Sequence, residues 1–413
     1  MERNWAGNLT YRAGRIARPA TVTELRELVV ETPRIRALGS RHSFSDVADT
    51  PDVLVSLDAL PAEIELDIEV SGDRVTVPAA TRYGDLAAVL ADRGLALPNL
   101  ASLPHISVAG AVATGTHGSG DRNGCLSTSV AALDIVGADG ELRRVSRGDR
   151  EFAGSVVALG ALGVVVRVAL DVVPAFDVRQ TVYPGVPWPA ALADLDALMS
   201  AGYSVSLFTD WTGDHLRQVW VKSTTADPPA DLYGAAPSPV GVHMIPTESV
   251  AAVTEQLGVP GPWLDRLPHF RMEHKPSSGD ELQSEYLVPR DAAPEALSRV
   301  RAMGGRIAPV LHVTEIRSVA ADDLWLSGAY GRDAIAIHFT WHQNPAAVTA
   351  LLPDIEAALL PLGARPHWGK CFATTRLAPQ YPQWRDFVEL RRAVDPGGKF
   401  TNPFLDRLFL SHV

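Results

Sequence analysis

The chain up to about residue 175 mixes short apolar runs of strand length with amphipathic segments of helical spacing. One helix is predicted after Pro19, with Thr21 or Thr23 as its cap, and a second over residues 83–93. Strands are predicted at residues 34–38, 53–57, 64–70 and 74–77, and a hairpin at residues 130–136 and 142–145. Pro174 marks the expected end of this unit.

The pattern changes beyond Pro174. Strands are predicted at residues 203–208 and 218–222, a helix at 188–199, a proline- and alanine-rich linker at 226–240, a loop at 266–279 and a last helix at 384–394. The whole chain is too long for one ordinary hydrophobic core. We therefore predict one domain over residues 1–175, a second over 176–375, and a C-terminal segment over 376–413 that returns to the first domain.

Composition narrows the class of protein. The 413 residues carry a formal net charge of −11, and 46% of them are apolar and 21% charged, as in soluble globular proteins. This acidity argues against nucleic acid or an anionic membrane as a partner. The start lacks a signal-peptide pattern, and the apolar stretch 155–173 is broken by glycines and charges, which favours a helix end and a strand over a membrane span. We expect a cytoplasmic protein.

Two glycine-rich stretches carry candidate chemistry. Residues 39–46 follow a predicted strand and hold His42 among small and hydroxylated residues, and residues 107–120 contain four glycines. The first stretch alone is typical of a surface turn with an ordinary histidine. Together, two loops rich in backbone donors suit a large cofactor that bears phosphate. The nucleotide fingerprint of a doubly wound NAD dehydrogenase is not convincingly present, so that class is disfavoured.

Two predicted strands in the second half present polar faces. Strand alternation puts Val313, Glu315 and Arg317 on one face of the first, and Ala336, His338, Thr340 and His342 on one face of the second. The opposite face of the second strand is apolar. A set of carboxylate, guanidinium, imidazole and hydroxyl suits a chain of hydroxyl groups, although an exposed, ion-paired sheet face is commoner in general. A metal site from His338 and His342 is a weaker interpretation, because no carboxylate stands at a recognised ligand spacing.

Several motifs together resemble a known family. They are residues 4–8 (NWAGN), the His42 loop, residues 102–107 (SLPHIS), residues 110–120, residues 160–164, residues 314–317 (TEIR), residues 365–370 (RPHWGK) and residues 395–403. They are similar to vanillyl-alcohol-oxidase-type FAD flavoproteins and, among these, to the alditol (xylitol and sorbitol) oxidases, which are close to the aldonolactone oxidases. The resemblance covers nearly the whole chain. It implies an α+β fold: an FAD-binding domain of two subdomains and an α+β cap domain with a mainly antiparallel sheet.

The resemblance also implies the site residues. It places FAD on the first domain, joined covalently to His42. Cofactor contacts are expected from Gly39, Ser40, Arg41, Ser43, Phe44, Ser102, Ser107, Gly110, Thr114, Gly115, Thr116, His117, Gly163 and Val164. Substrate contacts are expected from Ser102, Glu315, Arg317, His338, Thr340 and Lys370, among which Lys370, Arg317 and Glu315 are the catalytic candidates. Arg41 stands where relatives commonly have glycine, and its guanidinium either contacts phosphate or points to solvent.

The function that follows is an FAD-dependent oxidation of the terminal CH–OH of a polyol to an aldehyde. Dioxygen is the expected acceptor and hydrogen peroxide the product. An aldonolactone oxidase or dehydrogenase is the enzyme alternative, although Gly369 stands where the lactone enzymes often carry alanine. A non-catalytic carbohydrate- or flavin-binding protein is a third possibility, which the full set of His42, Glu315, Arg317 and Lys370 disfavours. The expected partners are the polyol and dioxygen, and the expected oligomeric state is a monomer.

Overall fold

The protein is described by a computed structural model over residues 2–61, 74–224, 227–274 and 280–409. The strand predicted at residues 64–70 lies outside these ranges. The described residues build a three-stranded, a four-stranded and an eight-stranded sheet, together with a two-stranded pair of Leu95–Ala96 and Val173–Pro174.

The three-stranded sheet is parallel and leads into the His42 loop. Its strands are Arg15–Ala17, Val53–Ser56 and Ile35–Leu38, in that order, and helix Val22–Glu31 packs on it. Thr21 is the helix cap, as one of the two sequence alternatives had it, because its side chain accepts the Glu24 backbone N–H at 3.1 Å. The last strand delivers the chain from the carboxyl edge of the sheet into residues 39–46.

The four-stranded sheet is antiparallel and carries the second glycine-rich stretch. Its order is Arg74–Pro78, Val164–Asp171, Val130–Val136 and Leu142–Ser146, and the helices around it are Tyr83–Ala91, Val108–Thr114 and Phe152–Val156. The predicted hairpin is confirmed, since residues 132–136 pair with residues 142–146. The apolar stretch 155–173 is a helix end and a strand, as expected.

The eight-stranded sheet is the largest of the described sheets and is built from residues beyond Pro174. Its order is Gly261–Pro262, Asp177–Pro184, Gln218–Ser223, Ser204–Thr209, Leu311–Val319, Ala334–His342, Glu281–Pro289 and Arg365–Pro366. All neighbouring strands are antiparallel. One face packs into a core with helices Trp188–Ala193, Leu195–Met199, Ala293–Ala302, Gly304–Ile307 and Pro345–Leu359. The apolar face of Ala334–His342 lies in that core, as its alternation predicts.

The single helix predicted at residues 188–199 is wrong. Asp194 leaves the helical conformation, with φ −136° and ψ 43°, and separates Trp188–Ala193 from Leu195–Met199. The Asp194 carboxylate accepts the hydroxyl of Tyr233 at 2.8 Å. A short acidic side chain with a partner outside the helix favours such a break.

The C-terminal helices are Trp384–Val394, as predicted, and Pro403–Phe409. Both contribute to the core around the four-stranded sheet, while the predicted domain bounds themselves stay a prediction. In the described part of the chain, one helical stretch, Pro345–Leu362, is long and apolar enough to cross a membrane. Its buried side chains, such as Leu352 and Ile355, pack in the core under the eight-stranded sheet, as in the core helix of a globular protein.

Candidate active site

One cavity of about 550 Å³ lies between the two glycine-rich stretches and the polar face of the eight-stranded sheet. It brings together nearly all the predicted site residues: Gly39, Ser40, Arg41, His42, Ser43, Phe44, Ser102, Ser107, Gly110, Thr114, Thr116, His117, Gly163, Glu315, Arg317, His338, Thr340 and Lys370. Residues distant in sequence, from position 39 to position 370, thus line one cavity.

Two predicted cofactor contacts do not line the cavity. Gly115 ends helix Val108–Thr114 with a φ of 66°, so its role in the structure is to terminate the helix. Val164 opens a strand and is fully buried in the core beneath helix Val22–Glu31. Gly115 and Val164 each belong to a motif of which other members line the cavity.

His42 is fixed by segments from both ends of the chain. The ring of Trp5 stacks on its imidazole with the centroids 5.5 Å apart, and the Phe44 N–H donates to the Gly369 carbonyl at 2.7 Å. His42 Nδ1 is buried and makes no hydrogen bond of normal geometry to any described residue. Burial lowers the pKa of His42 to about 4, so the imidazole is neutral near pH 7. A neutral imidazole with a free nitrogen is a competent nucleophile.

The two glycine-rich stretches touch each other. The Ser107 N–H donates to Ser40 Oγ at 3.0 Å. A Cβ added at Gly39 or at Gly110 would come within 2.8 Å of Ser107 Oγ, so side chains are excluded where the stretches meet. Such a cradle of bare backbone fits a large cofactor that must approach the main chain closely.

Arg41 borders the cavity and is paired with an acidic side chain. Its φ of 65° lies in the left-handed region, which explains physically why a glycine suits this position. Its guanidinium Nε lies 2.9 Å from the Glu2 carboxylate while the residue lines the cavity.

The polar face of the sheet centres on Glu285, which the sequence interpretation missed. Cross-strand register places Glu285 opposite His338, and His338 opposite Glu315. The Glu285 carboxylate lies 2.8 Å from His338 Nδ1 and 3.3 Å from Arg317 Nη2. It also pairs with the ammonium of Lys370 and with His117 Nε2. One fully buried carboxylate therefore joins the glycine-rich stretch to three of the predicted substrate residues.

The buried charges control one another. Burial alone would raise the pKa of Glu285, but Lys370, His117 and Arg317 hold that pKa well below its usual range. Burial lowers the pKa of Lys370, against the pull of Glu285, and burial lowers the pKa of His338 to about 4, aided by the Lys370 charge. At neutral pH the carboxylate is therefore ionised and His338 is neutral.

Glu315 belongs to a second set of contacts. Its Oε1 lies 2.7 Å from His269 Nε2 and 3.7 Å from Arg317 Nε. Burial alone would raise the pKa of Glu315, but Arg317 and His269 hold that pKa below its usual range. Arg317 also reaches Ser102 Oγ at 3.5 Å, so the predicted substrate residues form one connected polar surface.

Another part of the cavity lining is apolar and includes Met244, Ile245, Phe270, Val313 and Phe208. Trp211 and Trp263 are buried in the cores and do not line the cavity.

His342 does not join the site. It is exposed and its Nδ1 lies 3.1 Å from His312 Nε2, although alternation puts it on the same strand face as His338. Across the described ranges no group of three or more histidine, cysteine or acidic side chains is arranged to hold a metal ion.

A sequence signal existed for Glu285 but not for His269. Strand Glu281–Pro289 carries Glu281, Gln283 and Glu285 at alternate positions, a polar face that could have been noticed. His269 lies in a segment without periodicity, and only the fold brings it to Glu315.

Known proteins resemble this chain in sequence and in fold. Residues 13–146 match a family described as FAD binding domain, and residues 280–408 match one described as D-arabinono-1,4-lactone oxidase. An alditol oxidase of Streptomyces sp. is 49% identical over 97% of both chains. An L-gulono-1,4-lactone dehydrogenase of Mycobacterium tuberculosis is 29% identical over 98% of both chains.

Among solved structures, cholesterol oxidase from B. sterolicum superposes with a TM-score of 0.78, over 98% of this chain and 96% of that one. Its sequence is 15% identical, so this similarity concerns the fold alone. The fold is the FAD-binding and cap-domain arrangement expected from the sequence.

Proposed function

The chain belongs to the alditol oxidase family of FAD-dependent oxidoreductases, related to the aldonolactone oxidases, and we propose that it oxidises the terminal CH–OH of an open-chain polyol such as xylitol or sorbitol. The products are the aldose and, from dioxygen, hydrogen peroxide. The lactone enzymes are more distant relatives, which favours the polyol over the lactone.

One observation carries the proposal. The polar face of the eight-stranded sheet opens into the same cavity as the His42 loop, and it mixes fixed acceptors with fixed donors. Glu315 supplies a carboxylate, Arg317 and Lys370 supply charged donors, and Thr340 supplies a hydroxyl that can do both. A polyol offers a hydroxyl on every carbon, each of them donor and acceptor. The polar face of the sheet is therefore suited to a substrate with a run of hydroxyl groups rather than to one with a single polar end.

FAD occupies this cavity in the proposal and is joined covalently to His42. The buried, unpaired Nδ1 of His42 and its lowered pKa support the attachment. Gly39, Ser40, Ser107 and Gly110 would hold the cofactor, since they offer main chain and two small hydroxyl side chains where the stretches meet. When bound, FAD supplies the hydride acceptor and passes the electrons to dioxygen.

The protein side chains handle the charge that develops on the alcohol. Removal of hydride from the carbon leaves negative charge on its oxygen unless the hydroxyl proton departs as well. Lys370, held in place by Glu285, stabilises that oxygen in a site shielded from water. The hydroxyl proton passes to the neutral imidazole of His338, whose Nδ1 lies 2.5 Å from Lys370 Nζ, and then leaves to solvent, because an imidazole with a pKa of about 4 does not retain it near pH 7. Arg317 stays protonated and orients the substrate.

The test is a comparison of substrates under anaerobic conditions. The purified protein is mixed with xylitol, sorbitol or L-gulono-1,4-lactone while the flavin absorbance is recorded, and air is then admitted and peroxide measured. Flavin bleaching by the polyols followed by peroxide is the expected result. Bleaching by the lactone with no response to any polyol would move the protein to the lactone enzymes. A cytoplasmic location and a monomeric state stay predictions.

A further inference from the structure

Lys222 is a buried cation with no part in the mechanism described so far. It lies on strand Gln218–Ser223, is 1% exposed and does not line the cavity. Its ammonium donates to the carbonyls of Leu267 at 2.5 Å and Pro268 at 3.2 Å, and lies 3.1 Å from His269 Nδ1. An ammonium has three N–H donors, and these three acceptors use all of them.

The arrangement fixes the proton of His269. Because Lys222 donates to Nδ1, the proton of the neutral imidazole resides on Nε2, which lies 2.7 Å from Glu315 Oε1. The opposite tautomer would turn a lone pair toward the carboxylate. The rings of Phe208 and Trp220 lie against the imidazole, with centroids at 5.8 Å and 5.1 Å, so the ring has little freedom to turn.

The same segment also holds Ser102. The N–H groups of His269 and Phe270 both donate to the Ser102 carbonyl at 3.2 Å. On Glu315, the contacts with His269 and Arg317 both engage Oε1, which leaves Oε2 for a substrate hydroxyl. The position of residues 267–270 therefore sets two of the groups that would hold the polyol.

We propose that Lys222 is a positioning residue for polyol recognition, acting through the tautomer and orientation of His269 to hold Glu315. The proposal rests on the proposed function and deepens it. Burial lowers the pKa of Lys222 to about 7, with the Glu315 charge raising it and the Arg317 charge lowering it, so the ammonium that donates to His269 predominates below about pH 7.

The test is a double-mutant cycle read by anaerobic stopped flow with xylitol, which separates the dissociation constant from the limiting rate of flavin reduction. Lys222→Met should raise the dissociation constant at least ~10-fold and change the limiting rate less than ~3-fold, since an orienting role affects binding before chemistry. His269→Phe should do the same. The double variant should be no worse than His269→Phe alone, because Lys222 acts through His269.

His269→Gln is the conservative variant. A glutamine amide can donate to Glu315 without a tautomer to be fixed. It should bind xylitol more tightly than His269→Phe, and adding Lys222→Met to it should cost little. The comparison of these two His269 variants tests the proposal even if Lys222→Met alone does not fold. Equal xylitol binding by His269→Gln and His269→Phe would overturn the proposal.

Lys399→Met is the matched control. Lys399 also donates to main-chain carbonyls, those of Val29 at 2.5 Å and Val30 at 3.1 Å, and none of these three residues lines the cavity. It should lower the melting temperature and leave the dissociation constant unchanged. Additive losses from Lys222→Met and His269→Phe, or unchanged xylitol binding in Lys222→Met, would overturn the inference alone. A wild-type flavin that no polyol reduces would overturn the proposed function and this inference with it.

Discussion

The two walls of the cavity are built on opposite principles. The wall of the His42 loop and the glycine-rich stretch presents much backbone and many small residues, with a neutral His42 and with Arg41 paired to Glu2. The wall of the eight-stranded sheet consists of ionised side chains buried on facing strands, with Glu285 among several cations and imidazoles. A cofactor of constant shape can be held by main-chain geometry. Charge that appears only during the reaction has to be met by charges already in place.

The largest effect should come from the one residue that acts by a covalent bond. His42→Ala should abolish the acid-stable attachment of flavin completely, because it removes the imidazole that the proposal assigns to the covalent bond. The protein is precipitated with acid, and flavin absorbance is compared between pellet and supernatant. His312→Ala, outside the cavity, is the control and should leave the pellet yellow. A yellow pellet from His42→Ala would move the attachment to another residue.

The same contrast explains what the sequence could predict. The His42 loop is a local motif, and strand alternation within one segment correctly grouped Glu315 with Arg317 and His338 with Thr340. The alternation of strand Glu281–Pro289 predicts a polar face that includes Glu285, but it does not show which side chains of other segments that carboxylate meets. His269 lies in an irregular loop and has no such signal. Cross-strand register and the course of a loop are set by the whole fold, so the partners of both residues cannot be predicted from one segment.

The second prediction concerns the centre of the charged wall. Glu285→Gln leaves the buried Lys370 without its counter-charge and Arg317 with Glu315 alone, which should cost about 3–5 kcal/mol in the free energy of unfolding. Urea unfolding followed by circular dichroism measures it. Glu356→Gln is the matched control, because that buried carboxylate accepts only neutral donors, from Tyr286, Ala373 and Thr374. Equal losses in the two variants would mean that the Glu285 charge pairs add nothing to stability.

The third prediction concerns the cation next to the reacting oxygen. Lys370→Met should slow flavin reduction by about 10²–10³-fold, the loss typical when one donor to a developing oxyanion is removed. Polyol binding should weaken much less. Anaerobic stopped flow separates the two quantities, with Lys399→Met as the lysine control. An unchanged reduction rate with a raised dissociation constant would make Lys370 a binding residue and leave Arg317 as the charge stabiliser.

The fourth prediction concerns the stability of the protein between pH 6.5 and pH 4. Burial lowers the pKa of His269 and of His338 to about 4, whereas an unfolded histidine titrates near 6.5. Between pH 6.5 and pH 4 these histidines are protonated in the unfolded chain but neutral in the folded one. The free energy of unfolding should therefore fall as the pH drops from 6.5 to 4. Each histidine contributes up to about 1.4 kcal/mol per pH unit. Unfolding curves across this range measure the slope, which should be smaller in His338→Gln; an identical slope would contradict the assignment.

The smallest effect should come from a neutral group on the same wall. Thr340 Oγ1 lies 3.1 Å from His338 Nε2 and faces the cavity, where it would share a hydrogen bond with a substrate hydroxyl. Losing one neutral hydrogen bond costs about 1 kcal/mol, so Thr340→Ala should raise KM roughly 5-fold and change kcat little.

Glu315→Gln is the comparison for Thr340→Ala, and it should cost more, because it leaves Arg317 and His269 facing a neutral amide in place of a buried carboxylate. Steady-state kinetics on xylitol with both variants, and with Thr340→Ser as the conservative change, gives the ratio. A larger kinetic loss in Glu315→Gln than in Thr340→Ala would show that, on the polar face of the sheet, the charged group matters more for xylitol than the neutral one. Equal and slight penalties would mean that the polyol does not bind to this face, and the contrast between the two walls would then have no bearing on catalysis.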